Sequence, residues 1–361
     1  PAADLAALGD GSVTVTASVS DKAGNPASAE HTLTVDVTVP AVTINTVAGD
    51  DVINITEHAQ AHIISGNATG AAAGDKVTVT IGGQNYTTVL DAAGNWSVGV
   101  PASVISALQD GTVTVTASVT DAAGNTGTGS HNVTVDTGLP SVAFNAISDD
   151  NVLNAVEKAQ DLSVSGTSAN LAEGTVVTVT LNGKNYAATT AADGTWSLTV
   201  PAADLAGLGE ANYTLSAAAT NGVGNSVSNT ANLLVDTALP TVTINTVAGD
   251  NVINAAEVAA GQTITGKVAN AEAGNTVTVN IGGNSYTATV QSDLTWSVSV
   301  PESVLTALGN GDLTVSATVT NGHGNTGAGE REIVIDASLP GLRINTVAGD
   351  DVINSIEHGQ N

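Results

Sequence analysis

Acidic and amide side chains are concentrated in one short segment that recurs along the chain. Residues 44–54 read INTVAGDDVIN, and INTVAGD returns unchanged at 244 and at 344. The segment carries Asp50, Asp51 and Asn54, and Glu57 follows it. Carboxylate and amide oxygens are hard ligands that suit Ca²⁺, whereas Mg²⁺ prefers to keep several waters in a tight octahedron. We therefore expect these side chains to contribute to a calcium site.

The elements that must position this segment repeat with a fixed period. Pro40, Pro140, Pro240 and Pro340 are 100 residues apart, and Trp96, Trp196 and Trp296 keep the same interval. The period predicts five segments, which are part of a preceding repeat (1–37), the first, second and third whole repeats (38–137, 138–237 and 238–337), and part of a following repeat (338–361). Because the outer cuts fall within a repeat, we expect both ends of the chain to be poorly ordered.

Short segments of alternating character predict strands within each repeat. Residues 112–120, TVTVTASVT, place Val and Ala on one face and Thr and Ser on the other. GGQN (82–85) and DAAGN (91–95) are hairpin turn signals, and 102–111 predicts a short helical turn. Seven short strands in about 100 residues are typical of an immunoglobulin-like sandwich. We therefore predict an all-β fold of tandem immunoglobulin-like β-sandwich domains.

Composition restricts the classes of partner. The chain of 361 residues has 34 acidic and 7 basic side chains, a formal net charge of −27. The few basic residues are scattered, so we expect no nucleic acid partner. An anionic membrane surface would repel the chain, and no apolar run of about 18 residues could insert into a bilayer. There is no Cys, which excludes disulfides and thiolate metal sites. Cations are the natural partners.

Several motifs together resemble a known family. They are VDTGLPSV (135–142), DDNVLNAVEKAQ (149–160), ADGTWS (192–197) and TDAAGN (120–125). With them the chain resembles the bacterial Ig-like repeats of giant type I-secreted, non-fimbrial adhesins of Gram-negative bacteria. The resemblance implies export by a type I system, retention at the bacterial cell surface, and a role in adhesion during infection or in biofilms.

Sandwich topology predicts where the acidic groups meet. The segment with Asp50 and the end of the last strand at Asp136 share one end of a repeat, and the DAAGN-type turn of the next repeat faces them. That next repeat can add Asp193, Asn221 or Asn225. The candidate calcium ligands are Asp36, Asp50, Asp51, Asn54, Glu57, Asp121, Asp136, Asp150, Asn151, Asn154, Glu157, Asp193, Asn221, Asp236, Asp250, Asn251, Asn254, Glu257, Asp293, Asn321, Asp336, Asp350 and Asp351. A simpler alternative is that these Asp and Asn residues only form solvated turns.

The tryptophans allow two interpretations. Trp96 shares its strand face with Val98 and Val100, which predicts a buried core position. Alternatively, Trp96, Trp196 and Trp296 expose their rings and stack on host-cell glycans, which would make each repeat a lectin-like module. Exposure of the rings distinguishes the two.

Motifs for catalysis are absent from the sequence. It has no Cys nucleophile and no H-E-x-x-H, G-x-S-x-G or P-loop pattern, so we expect no enzyme activity. His58 and His62 have helical metal spacing, but the second repeat has Lys158 and Leu162 at these positions and the third has Val258 and Gln262. The favoured function is a calcium-rigidified extender, a monomeric rod whose neighbouring repeats contact each other and project a distal binding region for host-cell or biofilm adhesion.

Overall fold

The computed structural model describes residues 2–347 and 350–359. The chain divides into two compact units. The first comprises Pro1–Asn145, Ser165–Leu198 and Leu215–Ala231, and the second comprises Ala146–Val164, Thr199–Thr214 and Asn232–Asn361. The first unit contains all of the first repeat and the second unit contains all of the third. The domain boundaries expected from the period stay a prediction.

Strands dominate the described residues. Up to the end of the first repeat the elements are α1 (Ala2–Ala6), β1 (Gly11–Ser20), β2 (Pro26–Val35), β3 (Ala41–Ile44), β4 (Val52–Asn54), α2 (Ile55–His58), β5 (His62–Thr69), β6 (Lys76–Ile81), β7 (Gln84–Val89), β8 (Asn95–Val100), α3 (Ala102–Ile105), β9 (Gly111–Thr120) and β10 (Thr126–Asp136).

The second repeat has the same order of elements. They are β11 (Ser141–Phe144), β12 (Val152–Leu153), a 3₁₀ turn (Glu157–Ala159), β13 (Leu162–Ala169), β14 (Val176–Leu181), β15 (Lys184–Thr189), β16 (Thr195–Val200), α4 (Ala202–Leu205), β17 (Ala211–Thr220) and β18 (Ser226–Val235). The third repeat follows with β19 (Thr241–Ile244), β20 (Val252–Asn254), α5 (Ala255–Ala260), β21 (Gln262–Ala269), β22 (Thr276–Ile281), β23 (Asn284–Thr289), β24 (Thr295–Val300), α6 (Glu302–Leu308), β25 (Gly311–Thr320) and β26 (Thr326–Asp336), and a 3₁₀ turn (Glu357–Gly359) lies beyond it.

Two sheets form each of the first and third repeats. In the first repeat, β3-β5-β8 make one sheet and β4-β10-β9-β6-β7 make the other. The third repeat has β19-β21-β24 and β20-β26-β25-β22-β23. Pairing is antiparallel except for β4 with β10 and β20 with β26, which are parallel. In the second repeat β11 pairs with β13, β14 pairs with β15 and β17, and β12 runs parallel to β18. The predicted all-β, immunoglobulin-like sandwich is confirmed.

Alternation explains how the strands form the core. On β6, Val77, Val79 and Ile81 are at most 1% exposed, while the intervening threonines face outward. The next strand begins after a two-residue turn at Gly82 and Gly83, both with positive φ (56° and 75°). Glycine accepts this backbone conformation without strain, and such turns match the twist of the paired strands.

The segment predicted as one acidic loop contains two elements that we did not expect. Val52–Asn54 is a strand, β4, and Ile55–His58 is a helical turn, α2. The prediction of seven strands is therefore one strand short. Three residues are too few to reveal a two-residue alternation, and β4 depends on its parallel partner β10 instead. Separately, none of the helices in the described ranges has the length and apolar character needed to cross a bilayer.

Candidate functional site at the joints between repeats

Asp50 and Asp51 are hydrogen-bonded to nearby groups of their own repeat. The Asp50 carboxylate accepts from the Val52 amide at 3.0 Å. The Asp51 carboxylate accepts from the Val47 amide at 2.8 Å and pairs with the His131 ring at 2.7 Å. The Val47 amide, and then His131, hold the pKa of Asp51 below its ordinary value. Both carboxylates therefore stabilise the turn that leads into β4.

Asn54 and Glu57 form a helix cap. Asn54 Oδ1 accepts from the amides of Thr56 and Glu57, at 2.9 and 3.1 Å. In return, Glu57 Oε2 accepts from the Asn54 amide at 3.1 Å, which completes a capping box. The same reciprocal bonds occur at Asn154 with Glu157 and at Asn254 with Glu257. These Asn and Glu side chains therefore fix the backbone that follows the short parallel strand.

A buried asparagine links the second repeat to the first. Asn225 belongs to the turn between β17 and β18, and it is 0% exposed. Its Oδ1 accepts from the Ile55 amide of the first repeat at 2.8 Å. Its Nδ2 donates to the carbonyl oxygens of Asp136 and Gly138, at 2.9 and 3.1 Å. One side chain thus holds both α2 and the end of β10 of the preceding repeat.

The equivalent residues repeat this contact, and we call Asn125, Asn225 and Asn325 the clamp asparagines. Asn325 accepts from the Ala155 amide at 2.9 Å and donates to the Asp236 carbonyl at 2.8 Å. Asn125 donates to the carbonyl of Asp36 at 3.0 Å. The side chain four positions before each clamp asparagine accepts from the backbone N–H of that asparagine at 2.8 to 2.9 Å and so orients the turn. These acceptors are Asp121, Asn221 and Asn321.

Asp110 anchors the linker that leaves the first repeat. Its Oδ1 accepts from the amide and the hydroxyl of Thr137, at 3.0 and 2.8 Å. The hydroxyl and then the amide of Thr137 hold the pKa of Asp110 below its ordinary value. Asp10, Glu210 and Asn310 occupy the same position and accept from the corresponding amides of Val37, Thr237 and Ala337. The start of the linker is therefore fixed to its own repeat.

The rest of this linker is fixed as well. The Gly138 amide donates to Asp136 Oδ1 at 3.0 Å, and the Leu139 carbonyl accepts from Asn170 Nδ2 of the second repeat at 3.1 Å. Pro140 is buried and has a restricted backbone. Hydrogen bonds to both repeats therefore satisfy most of the polar backbone groups of residues 137–139.

The third repeat adds a contact between a histidine and a carboxylate to its joint. His323 Nδ1 lies 2.5 Å from Asp236 Oδ2. The corresponding residues of the second and first repeats are Val223 and Ala123, which offer no polar side chain. The joints before the second and third repeats are therefore alike in their clamp asparagine and different at this position.

The remaining predicted ligands are also hydrogen-bonded within their own turns. Asp193 and Asp293 accept from the amide and hydroxyl of Thr195 and Thr295, and they have no hydrogen bond to a preceding repeat among the described residues. Asp36, Asp236 and Asp336 accept from the amide two residues later. In the turns before β12 and β20 and in the equivalent segment after Pro340, the first acidic residue accepts from the backbone amide two residues later, as in Asp150, Asp250 and Asp350. The residue after it accepts from the backbone amide four residues earlier, as in Asn151, Asn251 and Asp351.

The oxygen atoms at the joint fit a hard cation by chemistry. The carbonyls of Asp136 and Gly138 converge on one nitrogen of Asn225, and the Asp136 carboxylate lies beside them. Within residues 2–347 and 350–359, no group of three or more His, Asp and Glu side chains is close enough to hold a metal. A calcium site here would therefore need carbonyl and amide oxygens in addition to carboxylates.

The three tryptophans belong to the core. Trp96 and Trp196 are 3% exposed and Trp296 is 1% exposed. Each ring lies against a glycine of the adjacent strand, Gly66, Gly166 or Gly266, where an added Cβ would come within 2.4 Å of the ring. The burial that alternation predicts is confirmed. The alternative of exposed rings that stack on glycans is wrong, because all three rings are buried.

The indole N–H groups differ among the repeats. Trp196 Nε1 donates to the Thr167 carbonyl at 3.2 Å, whereas Trp96 and Trp296 Nε1 are buried without a partner. In the first repeat the hydroxyl of Thr43 donates to the equivalent carbonyl, that of Asn67, at 3.2 Å. Thr243 does the same in the third repeat at 3.1 Å, while the second repeat has Ala143 at this position. In the first and third repeats, a threonine hydroxyl thus donates to the backbone carbonyl to which the indole N–H donates in the second repeat.

Sequence reasoning missed the linker anchors. Asp110 and Glu210 were not singled out, although they recur at the same interval as the tryptophans. The capping box was also missed, although N-x-x-E is its ordinary signature. Asn225 was named only as a possible ligand, whereas the structure uses both ends of its amide. Comparison of every polar position at the 100-residue spacing could have identified the anchors.

Similar solved structures come from bacterial adhesins. One is a Ca²⁺-stabilized adhesin that helps an Antarctic bacterium reach out and bind ice, which is 36% identical over 90% of this chain and 82% of that chain, with a TM-score of 0.45. Another is a tetra-tandem repeat in the extending region of a large adhesion protein, which is 31% identical over 91% and 82%, with a TM-score of 0.34. A single immunoglobulin-like domain of the M. primoryensis ice-binding adhesin is 43% identical over 28% of this chain and all of its own, with a TM-score of 0.24.

The curated proteins contain no significant match to this sequence. The bacterial Ig-like domain matches it twice, at residues 38–137 and 143–237. These two matches coincide with the first repeat and most of the second, and together they cover more than half of the chain. The chain therefore belongs to the bacterial Ig-like domain family.

Proposed function

We propose that this chain is an extender segment of a bacterial surface adhesin, in which stiff joints between repeats hold a distal binding region away from the cell. The observation that carries the proposal is the clamp asparagine. Asn225 and Asn325 occupy equivalent positions, and each ties two segments of the preceding repeat to its own turn. A repeated contact of this kind has a mechanical use only if neighbouring repeats keep a fixed orientation.

Short linkers with few free backbone groups support the same role. Thr137 is bound to Asp110 of its own repeat, and Leu139 is bound to Asn170 of the next. A linker of flexible chain would need to lose considerable conformational entropy each time the repeats aligned. Here the order is built into the folded state, so the joint resists bending without further cost.

Calcium is the proposed stiffening ion. At the joint after the first repeat, Asp136, Asn221 and the Gly138 carbonyl would hold it. Asn225 also contacts α2, which contains Glu57 and is capped by Asn54. A hard cation bound there would draw oxygens of both repeats together and offset the repulsion expected in a chain of net charge −27. Calcium is also named for one of the similar adhesins, which is a reason to test this ion first.

Calcium binding would also make the joints between repeats stiff outside the cell and flexible in the cytosol. We propose that the chain is exported by a type I system and retained at the bacterial cell surface, where it serves adhesion to host cells or within biofilms. Free calcium is scarce in the cytosol and plentiful outside, so the native state would gain stability after export. At a calcium concentration about 100 times the dissociation constant, each independent site adds about 2.7 kcal/mol.

Small-angle X-ray scattering of the full chain tests the proposal. We expect an extended particle of fixed length in millimolar calcium, and a shorter and broader distribution of lengths in EDTA. The double variant Asn225→Ala with Asn325→Ala should shorten the particle in both conditions. Identical scattering profiles in calcium and EDTA would contradict the proposal that calcium stiffens the joints. A double variant that scatters like the parent chain would contradict the proposal that the clamp asparagines stiffen the joints.

A further inference from the structure

The turn of the third repeat that meets the second repeat carries a histidine found in no other repeat. His323 lies between Asn321, which orients the turn, and the clamp asparagine Asn325. The equivalent residue is Val223 in the second repeat and Ala123 in the first. All three turns have the same backbone hydrogen bonds, so the histidine changes the side-chain chemistry and leaves the turn geometry intact.

His323 and Asn325 hold the same residue of the second repeat. His323 Nδ1 is 2.5 Å from the Asp236 carboxylate, and Asn325 Nδ2 is 2.8 Å from the Asp236 carbonyl. The two side chains of this contact are 37% and 25% exposed, so both are partly shielded from solvent. One residue at the end of a repeat is therefore held through both its backbone and its side chain.

The joint after the first repeat lacks this contact. Val223 cannot pair with Asp136, and within residues 2–347 and 350–359 the Asp136 carboxylate accepts from the Gly138 amide alone. There the turn reaches the linker through Asn221 and Asn225, which both donate to the Gly138 carbonyl, at 3.4 and 3.1 Å. Among the described residues, the Asp136 carboxylate therefore has no hydrogen bond to the turn of the second repeat that corresponds to the one between Asp236 and His323.

We infer that the direct hydrogen bond between His323 and Asp236 replaces a bound ion as the link at the joint between the second and third repeats. That joint holds in the absence of divalent ions, whereas the joint between the first and second repeats depends on them. The inference rests on the proposed calcium role for the contrast between joints, but the direct contact of His323 with Asp236 stands without it. Of the two joints between whole repeats, one therefore responds to calcium and the other does not.

Amide hydrogen exchange of the full chain, measured at one fixed pH, reports the order of the two joints between whole repeats separately. Peptides that cover residues 137–139 and 237–239 report on the two linkers, each compared with itself in calcium and in EDTA. In the parent chain we expect EDTA to speed exchange at 137–139 and to leave 237–239 unchanged. The variant His323→Val, which copies the second repeat, should speed exchange at 237–239 in EDTA by about threefold to tenfold. Calcium should then restore protection there.

The reciprocal variant Val223→His supplies the matched control, and we expect it to reduce the effect of EDTA at 137–139. Protection of 237–239 by calcium in the parent chain would overturn the inference and leave the calcium proposal standing, with Asp236 as the ligand to examine. A His323→Val chain that exchanges like the parent in EDTA would overturn it directly. No response to calcium at either linker in any variant would overturn the contrast between joints together with the calcium proposal.

Discussion

Asn325 and Asp236 are 89 residues apart in the chain, and the side-chain amide of Asn325 donates to the Asp236 carbonyl across 2.8 Å. The other end of the same amide accepts from the Ala155 backbone, 170 residues earlier. Asn325 is 1% exposed, so water cannot take over either bond. A single buried side chain therefore satisfies two backbone groups of the preceding repeat.

Replacement of this clamp should loosen the joint while the repeats stay folded. Asn325→Ala leaves the Ala155 amide and the Asp236 carbonyl without partners, at a cost of about 2 kcal/mol. We expect exchange of the Ala155 amide, measured by NMR, to rise by at least about tenfold. Asn132→Ala, at an exposed asparagine on β10, is the control and should change little. Equal exchange in both variants would show that the clamp contributes nothing.

Acid should release the linker anchor at Asp110. A carboxyl group with a lower pKa in the folded state stabilises that state above its unfolded pKa, and the stabilisation is lost as the pH falls through the folded pKa. The pKa of Asp110 is lowered from 3.8 by the hydroxyl and amide of Thr137. We therefore expect the Thr137 amide to lose protection only below about pH 4.

The variants of Asp110 separate charge from hydrogen bonding. Asp110→Asn should keep the anchor and remove its acid dependence, because Asn310 already accepts from the Ala337 amide at 3.0 Å in the third repeat. Asp110→Ala should lose protection at Thr137 at every pH. NMR exchange of the Thr137 amide measures both variants. Protection that is insensitive to acid in the parent chain would contradict the proposed anchor.

The orphaned indole of Trp96 predicts an unusual response to a small substitution. Thr43→Ala removes the hydroxyl that competes for the Asn67 carbonyl, so Trp96 can donate there as Trp196 does to Thr167. We expect unchanged or higher stability, and a slower-exchanging Trp96 indole proton in the NMR spectrum. The reverse variant, Ala143→Thr, should destabilise the second repeat by about 1 kcal/mol. An indole of Trp196 that keeps its hydrogen bond in that variant would refute the competition.

Gly66 should tolerate no side chain. An added Cβ would lie 2.0 Å from the Thr43 carbonyl and 2.4 Å from the Trp96 ring, so Gly66→Ala should cost about 3 kcal/mol. Gly99 on β8 is the matched control, since a Cβ there would meet nothing within 4 Å. Chemical denaturation, monitored at the first repeat by NMR, compares the two variants. Similar midpoints for both would contradict the packing of the ring on Gly66.

Strands could be predicted because their signal is local. Val77, Val79 and Ile81 alternate with threonines over a few residues, and this pattern is visible without knowledge of any partner strand. The strand β4 could not be found in this way. Its three residues are ordered by the parallel contact with β10, about 80 residues later in the chain, where Val135 pairs with Ile53.

The candidate site was predicted in its location and only partly in its chemistry. Topology placed Asn225 opposite Asp136, and the structure brings the two into contact. Its use as a clamp depends on the direction of the Ile55 amide, which is set by the cap at Asn54 in a different repeat. Residue type alone shows that an asparagine can donate and accept, but only tertiary structure shows which groups it meets.

The recurrence of the clamp at one interval has a consequence for variation in length. Each joint combines the end of one repeat, at Asp36, Asp136 or Asp236, with the turn of the next, at Asn125, Asn225 or Asn325. Loss of one whole copy by recombination would bring Asn325 to Asp136 and recreate the same contact. The number of copies can therefore grow or shrink in steps of 100 residues while every junction keeps a complete set of partners.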